Sequence, residues 1–186
     1  MKSKCFPVPA ETKSWLLQHP IPHVRYNAAQ LIQPGSEDPA DLFSDPFING
    51  LISSLQFRDR EILKQHNKPD LLIHKLNTLA DLGVCISQNP WKPLLIQIGA
   101  EIDSSADENG IPQVNILLPK VFHGSGEVEK TWIICDFPLL LAAAAKMGIN
   151  LKRGSKGLEK LASMHRENGF PCVSKIPGFR GPGKKD

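Results

Sequence analysis

Aromatic residues and cysteines are both scarce in this sequence, and each shortage excludes a class of function. Aromatic residues make up 6% of the 186 residues, so the sequence lacks the interleaved aromatic and basic side chains that stack nucleic-acid bases. We therefore do not expect a nucleic-acid partner. The four cysteines show neither close pairing nor Cys-x-x-Cys spacing, which indicates reduced thiols. They are Cys5, Cys85, Cys135 and Cys172.

Long hydrophobic runs are also missing. Residues 1–10 contain no apolar core of the kind that a secretory signal needs. The most apolar segment, residues 137–145, is bounded by Asp136 and Lys146 and is too short to span a bilayer. The sequence therefore predicts a cytoplasmic protein without a membrane span.

Recognisable catalytic motifs are lacking as well. No Gly-rich phosphate loop and no Ser-His-Asp order is present, and Gly124-Ser125-Gly126 is typical of a turn. Asp103 and Asp107 are predicted to be solvated polar groups in a helix-end loop. No catalytic residue, cofactor or metal site is predicted, and whether the protein is an enzyme stays open.

The composition that remains is that of a helical globular protein. Hydrophobic residues make up 41% and charged residues 22%, and 186 residues fit one domain. The 16 prolines are dispersed, which favours many helix starts and turns. Residues 151–186 contain nine Lys/Arg and three Asp/Glu, whereas the rest of the chain is net −3. We interpret this basic region as a solvated face and tail.

Residues 132–169 are predicted to form a helical hairpin. Asp136 has the chemistry of an N-cap, with a proline following in the first turn, and Gly148 is a typical helix end. The first helix is apolar on all sides, which predicts that it is buried all round. The second helix, around 157–165, is amphipathic.

The hairpin has an earlier counterpart in the chain. Gly83 and Gly148 both end a predicted helix, and both precede a β-branched residue. The segment Glu-Asn-Gly-Ile-Pro ends at Pro112, and a similar segment, Glu-Asn-Gly-Phe-Pro, ends at Pro171. The two landmarks recur in the same order and at similar separations, which indicates an internal repeat.

These landmarks divide the chain into one helical-repeat domain over 1–186, with an all-α fold of antiparallel helix pairs. Its predicted parts are N-terminal helices at 12–66, a first repeat at 69–112, an insert at 113–134, a second repeat at 135–171 and a basic tail at 172–186. At most one short β-ribbon is expected, within the insert. The tail has no closing element, which suggests a fragment boundary and a further segment beyond it.

Three segments carry a resemblance to a known family. They are Trp15-Leu-Leu-Gln-His-Pro-Ile-Pro-His-Val-Arg-Tyr26, His74-Lys-Leu-Asn-Thr-Leu-Ala-Asp-Leu-Gly83 and Trp132-Ile-Ile-Cys-Asp136 with its Ala/Leu-rich helix. In this order they resemble the squalene-cyclase/prenyltransferase-like α/α-toroid proteins, in an uncharacterised prokaryotic branch. The repeat ends are similar to that family's Gln-x-x-Asp-Gly-Gly-Trp, although the second glycine and the tryptophan are missing.

The resemblance implies an arc of a toroid with an apolar, isoprenoid-type cavity. The residues that it places at such a cavity are Trp132, Asp136, Phe137, His74 and Phe170. The catalytic Asp-x-Asp-Asp motif of triterpene cyclases is absent. Cys135 and Asp136 are adjacent, so the two cannot easily reach one zinc ion. The implied partner is therefore an apolar small molecule, and the motifs do not support a reaction on it.

A second class of function stays open beside this one. Val24, Ala28 and Leu31 fall on one helical face and would suit a HEAT-like scaffold that binds a protein partner. The repeat spacing of about 60 residues is longer than the ~40–47 residues of a HEAT unit.

Overall fold

The computed structural model describes residues 8–55, 62–63, 68–87, 90–122, 124–131 and 136–164. This part of the chain is mostly helical. The helices are α1 (Ala10–Leu17), α2 (Pro22–Ile32), α3 (Pro39–Phe43), α4 (Pro46–Ser53), α5 (Leu72–Asp81), α6 (Lys92–Ser105), α7 (Asp136–Met147) and α8 (Gly154–Ala162). The strands are β1 (Ile62–Leu63), β2 (Val114–Leu117) and β3 (Val128–Thr131).

The chain divides into two compact units. In the described chain, the N-terminal unit comprises residues 8–54 and 82–84, and the C-terminal unit comprises the rest. Three helices of the N-terminal unit, α2, α3 and α4, begin at a proline. The fixed φ of proline suits the first helical position, where the missing N–H is not needed. This confirms the prediction that the dispersed prolines open helices.

The core of the N-terminal unit forms where α1, α2, α3 and α4 pack in succession. On α2 the buried residues are Tyr26, Ala28 and Ala29, whereas Leu31 is 85% exposed. The predicted face of Val24, Ala28 and Leu31 is therefore wrong. The buried side is rotated toward Tyr26, whose ring lies against Gly83. The HEAT-like interpretation loses the helix face on which it depended.

The C-terminal unit is built around α5 and α7, which pack side by side. Leu76 and Leu79 of α5 are fully buried, and Leu140 and Ala144 of α7 are buried against the same core. The two helices are therefore neighbours within one core, and Leu141 of α7 is only half-buried.

The C-terminal ends of α5 and α7 lie next to each other. Lys146 Nζ donates to Asp81 Oδ1 at 2.6 Å, and the Ile86 N–H donates to the Met147 carbonyl at 2.7 Å. Asp81 and Lys146 each stand two positions before the glycine that ends the helix. The two predicted repeat helices therefore meet at corresponding positions.

The two helix-ending glycines have the same local conformation. Gly83 has φ +88° and Gly148 has φ +71°, in the left-handed region where a glycine lacks the steric penalty of other residues. The next residues, Val84 and Ile149, are both buried. Of the two Glu-Asn-Gly segments, the structure describes the first, in which Gly110 has φ +81°. Gly169 of the second segment lies outside the described residues.

A small sheet lies within the C-terminal unit. β2 and β3 pair antiparallel, from Val114 opposite Thr131 to Leu117 opposite Val128, which confirms the predicted ribbon. β1 pairs with β2 in parallel, so the sheet has three strands instead of the two expected. The edge of β2 that faces away from β3 presents backbone N–H and C=O groups. Ile62 and Leu63 of β1 supply hydrogen-bond partners for them.

Candidate functional site

The side of α7 that faces away from the core is exposed, so the prediction that this helix is buried all round is wrong. Phe137, Leu140 and Ala144 point into the core. The residues on the other side are exposed, with Leu139 at 46%. They are Pro138, Leu139, Ala142, Ala145 and Lys146.

This exposed side of α7, which we call the α7 outer face, is apolar except for Lys146. The spacing i, i+1, i+4, i+7, i+8 gathers its residues on one side of a helix. A surface helix normally has charged and polar residues on the side opposite the core. An exposed apolar stripe of this kind is a candidate surface for a ligand or partner.

The corresponding positions on α5 have a different chemistry. When Gly148 is aligned with Gly83, the outer-face residues Leu139, Ala142 and Ala145 match His74, Asn77 and Ala80 in that order. These α5 residues are all half-buried. The Asn77 side-chain amide donates to the Ile73 carbonyl at 2.8 Å. The two neighbouring helices therefore present polar side chains on α5 and an apolar stripe on α7.

The five residues predicted to line a cavity are placed as follows. Phe137 is 4% exposed and packs in a cluster with Ile111 and Leu161, so its ring belongs to the core. Asp136 is half-buried and is the first residue of α7, one position inside the helix rather than before it. His74 lies on the neighbouring α5. Trp132 and Phe170 lie outside the described residues.

The aspartates on either side of the α6 end are structural. Asp103 lies within the last turn of the α6 helix, not in a loop as predicted, and its carboxylate accepts the N–H groups of Lys152 at 2.8 Å and Arg153 at 3.3 Å. Asp107 Oδ1 accepts the N–H groups of Asn109 and Ile111. These carboxylates hold the chain before α8 and the turn at Gly110.

Sequence reasoning missed a second arrangement, in the N-terminal unit. The Asp45 carboxylate is 1% exposed and is used by four donors. Its Oδ1 accepts the N–H groups of Phe47 at 2.8 Å and Ile48 at 3.1 Å, which caps α4. Its Oδ2 accepts the backbone N–H of His23 at 3.1 Å and the ring Nδ1–H of His23 at 2.7 Å. One carboxylate thus joins the first turns of α2 and α4.

The charge of Asp45 is stabilised although the group is buried. Burial raises the pKa of the Asp45 carboxyl, but hydrogen bonds from Ile48, from the ring and backbone of His23 and from Phe47 together outweigh it, so the pKa lies below its usual 3.8. The Asp45-Pro46 pair does signal a helix start. No local signal identifies His23, which lies on a different helix earlier in the chain, as the partner.

Neither a metal cluster nor a membrane-spanning helix is found in the described part of the chain. In those ranges no group of three or more His, Cys, Asp and Glu side chains is arranged to hold a metal ion. No helix among the residues with described structure is long and apolar enough to cross a membrane. The chain matches no protein-family model, and comparisons with curated proteins and with solved structures give no match either.

Proposed function

We propose that this chain is a non-catalytic, α/α-toroid-like helical-repeat domain that binds an apolar ligand of the isoprenoid class on the α7 outer face. The observation that carries the proposal is the exposed apolar stripe centred on Leu139 and Ala142. The repeat interpretation is supported by the side-by-side packing of α5 and α7 and by their matching ends at Gly83 and Gly148.

An apolar ligand suits this face for a simple energetic reason. Removing apolar surface from water contributes roughly 25 cal/mol per Å², and the stripe offers Leu139 and two alanines with no buried polar group to desolvate. An extended chain with methyl branches can lie along the exposed side chains of Leu139, Ala142 and Ala145. The proposal includes no reaction, since the carboxylates of Asp103 and Asp107 are engaged by backbone N–H groups.

The proposal can be tested by titrating the protein with a fluorescent analogue of farnesol, at concentrations below those at which the analogue itself aggregates. Leu139→Asn should weaken binding by about fivefold to tenfold, because about half of a leucine side chain no longer contributes apolar contact. Leu158→Asn is the matched control, since Leu158 of α8 is 49% exposed against 46% for Leu139. That variant should bind like the parent.

A straight-chain alcohol of similar length separates isoprenoid binding from general hydrophobic adsorption. Weaker binding of the straight chain than of the farnesol analogue supports the proposed ligand class. Equal losses in Leu139→Asn and Leu158→Asn, or no saturable binding to the parent, would refute the α7 outer face as the site.

A further inference from the structure

The exposed sides of α5 and α7 adjoin at the ion pair of Asp81 and Lys146. Lys146 belongs to the α7 outer face, and its Nζ lies 2.6 Å from Asp81 Oδ1, with both side chains exposed. The two helices pack side by side and their C-terminal ends meet at this pair, so they run in the same direction. The α7 outer face is therefore bordered by the exposed side of α5.

Asn77 lies on this border, one turn before Asp81. Residues four apart lie on the same side of a helix, and Ala142 stands in the same relation to Lys146 on α7. Counting one turn back from the ion pair on each helix places Asn77 at the level of Ala142. A half-buried amide thus lies beside the middle of the apolar stripe.

The Asn77 amide has a fixed orientation and an unused acceptor. Its Nδ2 donates to the Ile73 carbonyl at 2.8 Å, which turns Oδ1 away from that carbonyl. Oδ1 accepts no hydrogen bond from the residues that the structure describes. In the same part of the chain, the buried side-chain atom without a partner is Nε2 of Gln113, so Oδ1 of Asn77 is open to solvent. A ligand on the stripe can therefore reach this oxygen.

We propose that Asn77 selects the polar end of the ligand: its Oδ1 accepts a hydrogen bond from a hydroxyl group, and the bound isoprenoid is an alcohol. This inference rests on the proposed binding of an isoprenoid on the α7 outer face. The hydroxyl lies at the level of Ala142, on the side of the stripe that ends at Lys146. The apolar tail runs in the opposite direction, over Leu139 toward the start of α7.

An alcohol is favoured over other isoprenoid end groups by what Oδ1 requires. A hydrocarbon end would displace the water at Oδ1 and leave the acceptor unpaired, which costs free energy. An ionised acid carries acceptor oxygens and has no O–H to donate. A hydroxyl replaces the hydrogen bond of the displaced water, so binding the polar end adds no desolvation penalty.

The test compares farnesol with farnesyl methyl ether as competitors of the fluorescent farnesol analogue. The ether keeps the oxygen and loses only the O–H, so the comparison isolates the hydrogen bond to Oδ1. The parent should bind farnesol about threefold to tenfold more tightly than the ether, the effect of one neutral hydrogen bond. Hydrophobic contact alone would favour the ether, which is the more apolar of the two.

Two variants assign this preference to Asn77. Asn77→Leu has the same branching without a polar atom and should bind the alcohol no more tightly than the ether. Thr78→Val is the matched control, because Thr78 is also half-buried and also donates to a carbonyl one turn back, that of His74 at 2.9 Å. Thr78 lies about 100° further round the helix, so its variant should keep the preference of the parent.

The outcomes separate this inference from the proposed site. Saturable binding of the ether that Leu139→Asn weakens supports the apolar site independently of Asn77. With that binding present, equal affinities of the parent for alcohol and ether would refute the role of Asn77, as would a preference that persists in folded Asn77→Leu or disappears in folded Thr78→Val. If neither ligand binds saturably, the proposed site fails and the inference fails with it. The comparison in the parent requires no variant, so it decides even if a variant does not fold.

Discussion

The Asp45 carboxylate shows how a single buried charge can be stabilised by its surroundings. Four N–H donors surround it, two from α4 and two from His23. Hydrogen bonds to a charged group are worth about 1.5–3 kcal/mol each, and leaving such groups unpaired costs more. The residue therefore connects local helix capping to the packing of α2 against the remainder of the N-terminal unit.

Acid should remove the stabilisation that the charge of Asp45 provides. The pKa of this carboxyl is lowered on folding, so the unfolded chain takes up the proton more readily, and the contribution is present above the unfolded pKa of 3.8 and lost as the pH falls through the folded value. We expect Asp45→Asn to be less stable than the parent at about pH 7 and the difference to shrink toward about pH 2. Urea denaturation at both pH values measures it.

A second variant separates charge from capping at the same position. Asp45→Ala also removes the acceptor for the N–H groups of Phe47 and Ile48. Its free energy of unfolding should therefore lie about 0.5–2 kcal/mol below that of Asp45→Asn, and this difference should not depend on pH. A stability difference between parent and Asp45→Asn that stays constant across the pH range would contradict the role of the charge.

At the residue scale, the sequence predicts hydrogen bonds between residues that are close in the chain and not those between residues that are far apart in it. Asp45 before a proline is readable as a helix start, because the cap bonds go to the residues that immediately follow it. The bond to His23 depends on how α2 and α4 pack, and the bonds of Asp103 to Lys152 and Arg153 join segments that are far apart in the chain. No short-range pattern encodes contacts of that separation.

Among the elements, α7 carries the proposed site because its two sides differ in burial while sharing an apolar chemistry. Leu140 is 9% exposed and faces the core, and its neighbour Leu139 is 46% exposed. The core side anchors the helix beside α5. The exposed side can bind a ligand without disturbing the packing of the core side against α5.

Truncating the two leucines should therefore have unequal effects on stability. Leu140→Ala should lower the free energy of unfolding by about 2–5 kcal/mol, from lost burial and the cavity that remains. Leu139→Ala should change it by less than about 0.5 kcal/mol, as for other surface substitutions. Chemical denaturation of both variants measures the difference, and similar losses would show that both leucines are core residues.

The elements differ in how readily the sequence predicts them. The ribbon of β2 and β3 and the glycine ends of α5 and α7 follow from local chemistry and are confirmed. The exposed side of α7 does not, because a helix that is apolar all round has no polar residues to indicate which side meets water. β1 consists of Ile62 and Leu63 alone, which is too short for an alternating pattern.

For the molecule as a whole, aligning Gly83 with Gly148 allows α5 and α7 to be compared position by position. In this alignment the positions of Leu139 and Ala142 correspond to His74 and Asn77, so these positions are apolar on α7 and polar on α5. The glycine ends are the feature that the two helices share, whereas on the core side Leu79 matches Ala144 and Leu140 matches Lys75.

The measurement that tests the account most directly is photolabelling of the chain with a diazirine-bearing farnesol analogue, followed by peptide mapping. The account predicts a label on α7 within residues 138–145 that unlabelled farnesol removes by competition and that Leu139→Asn reduces, while Leu158→Asn leaves it unchanged. A label that concentrates on α6 or α8, or one that farnesol does not displace, would contradict the proposed binding of an isoprenoid ligand on the α7 outer face.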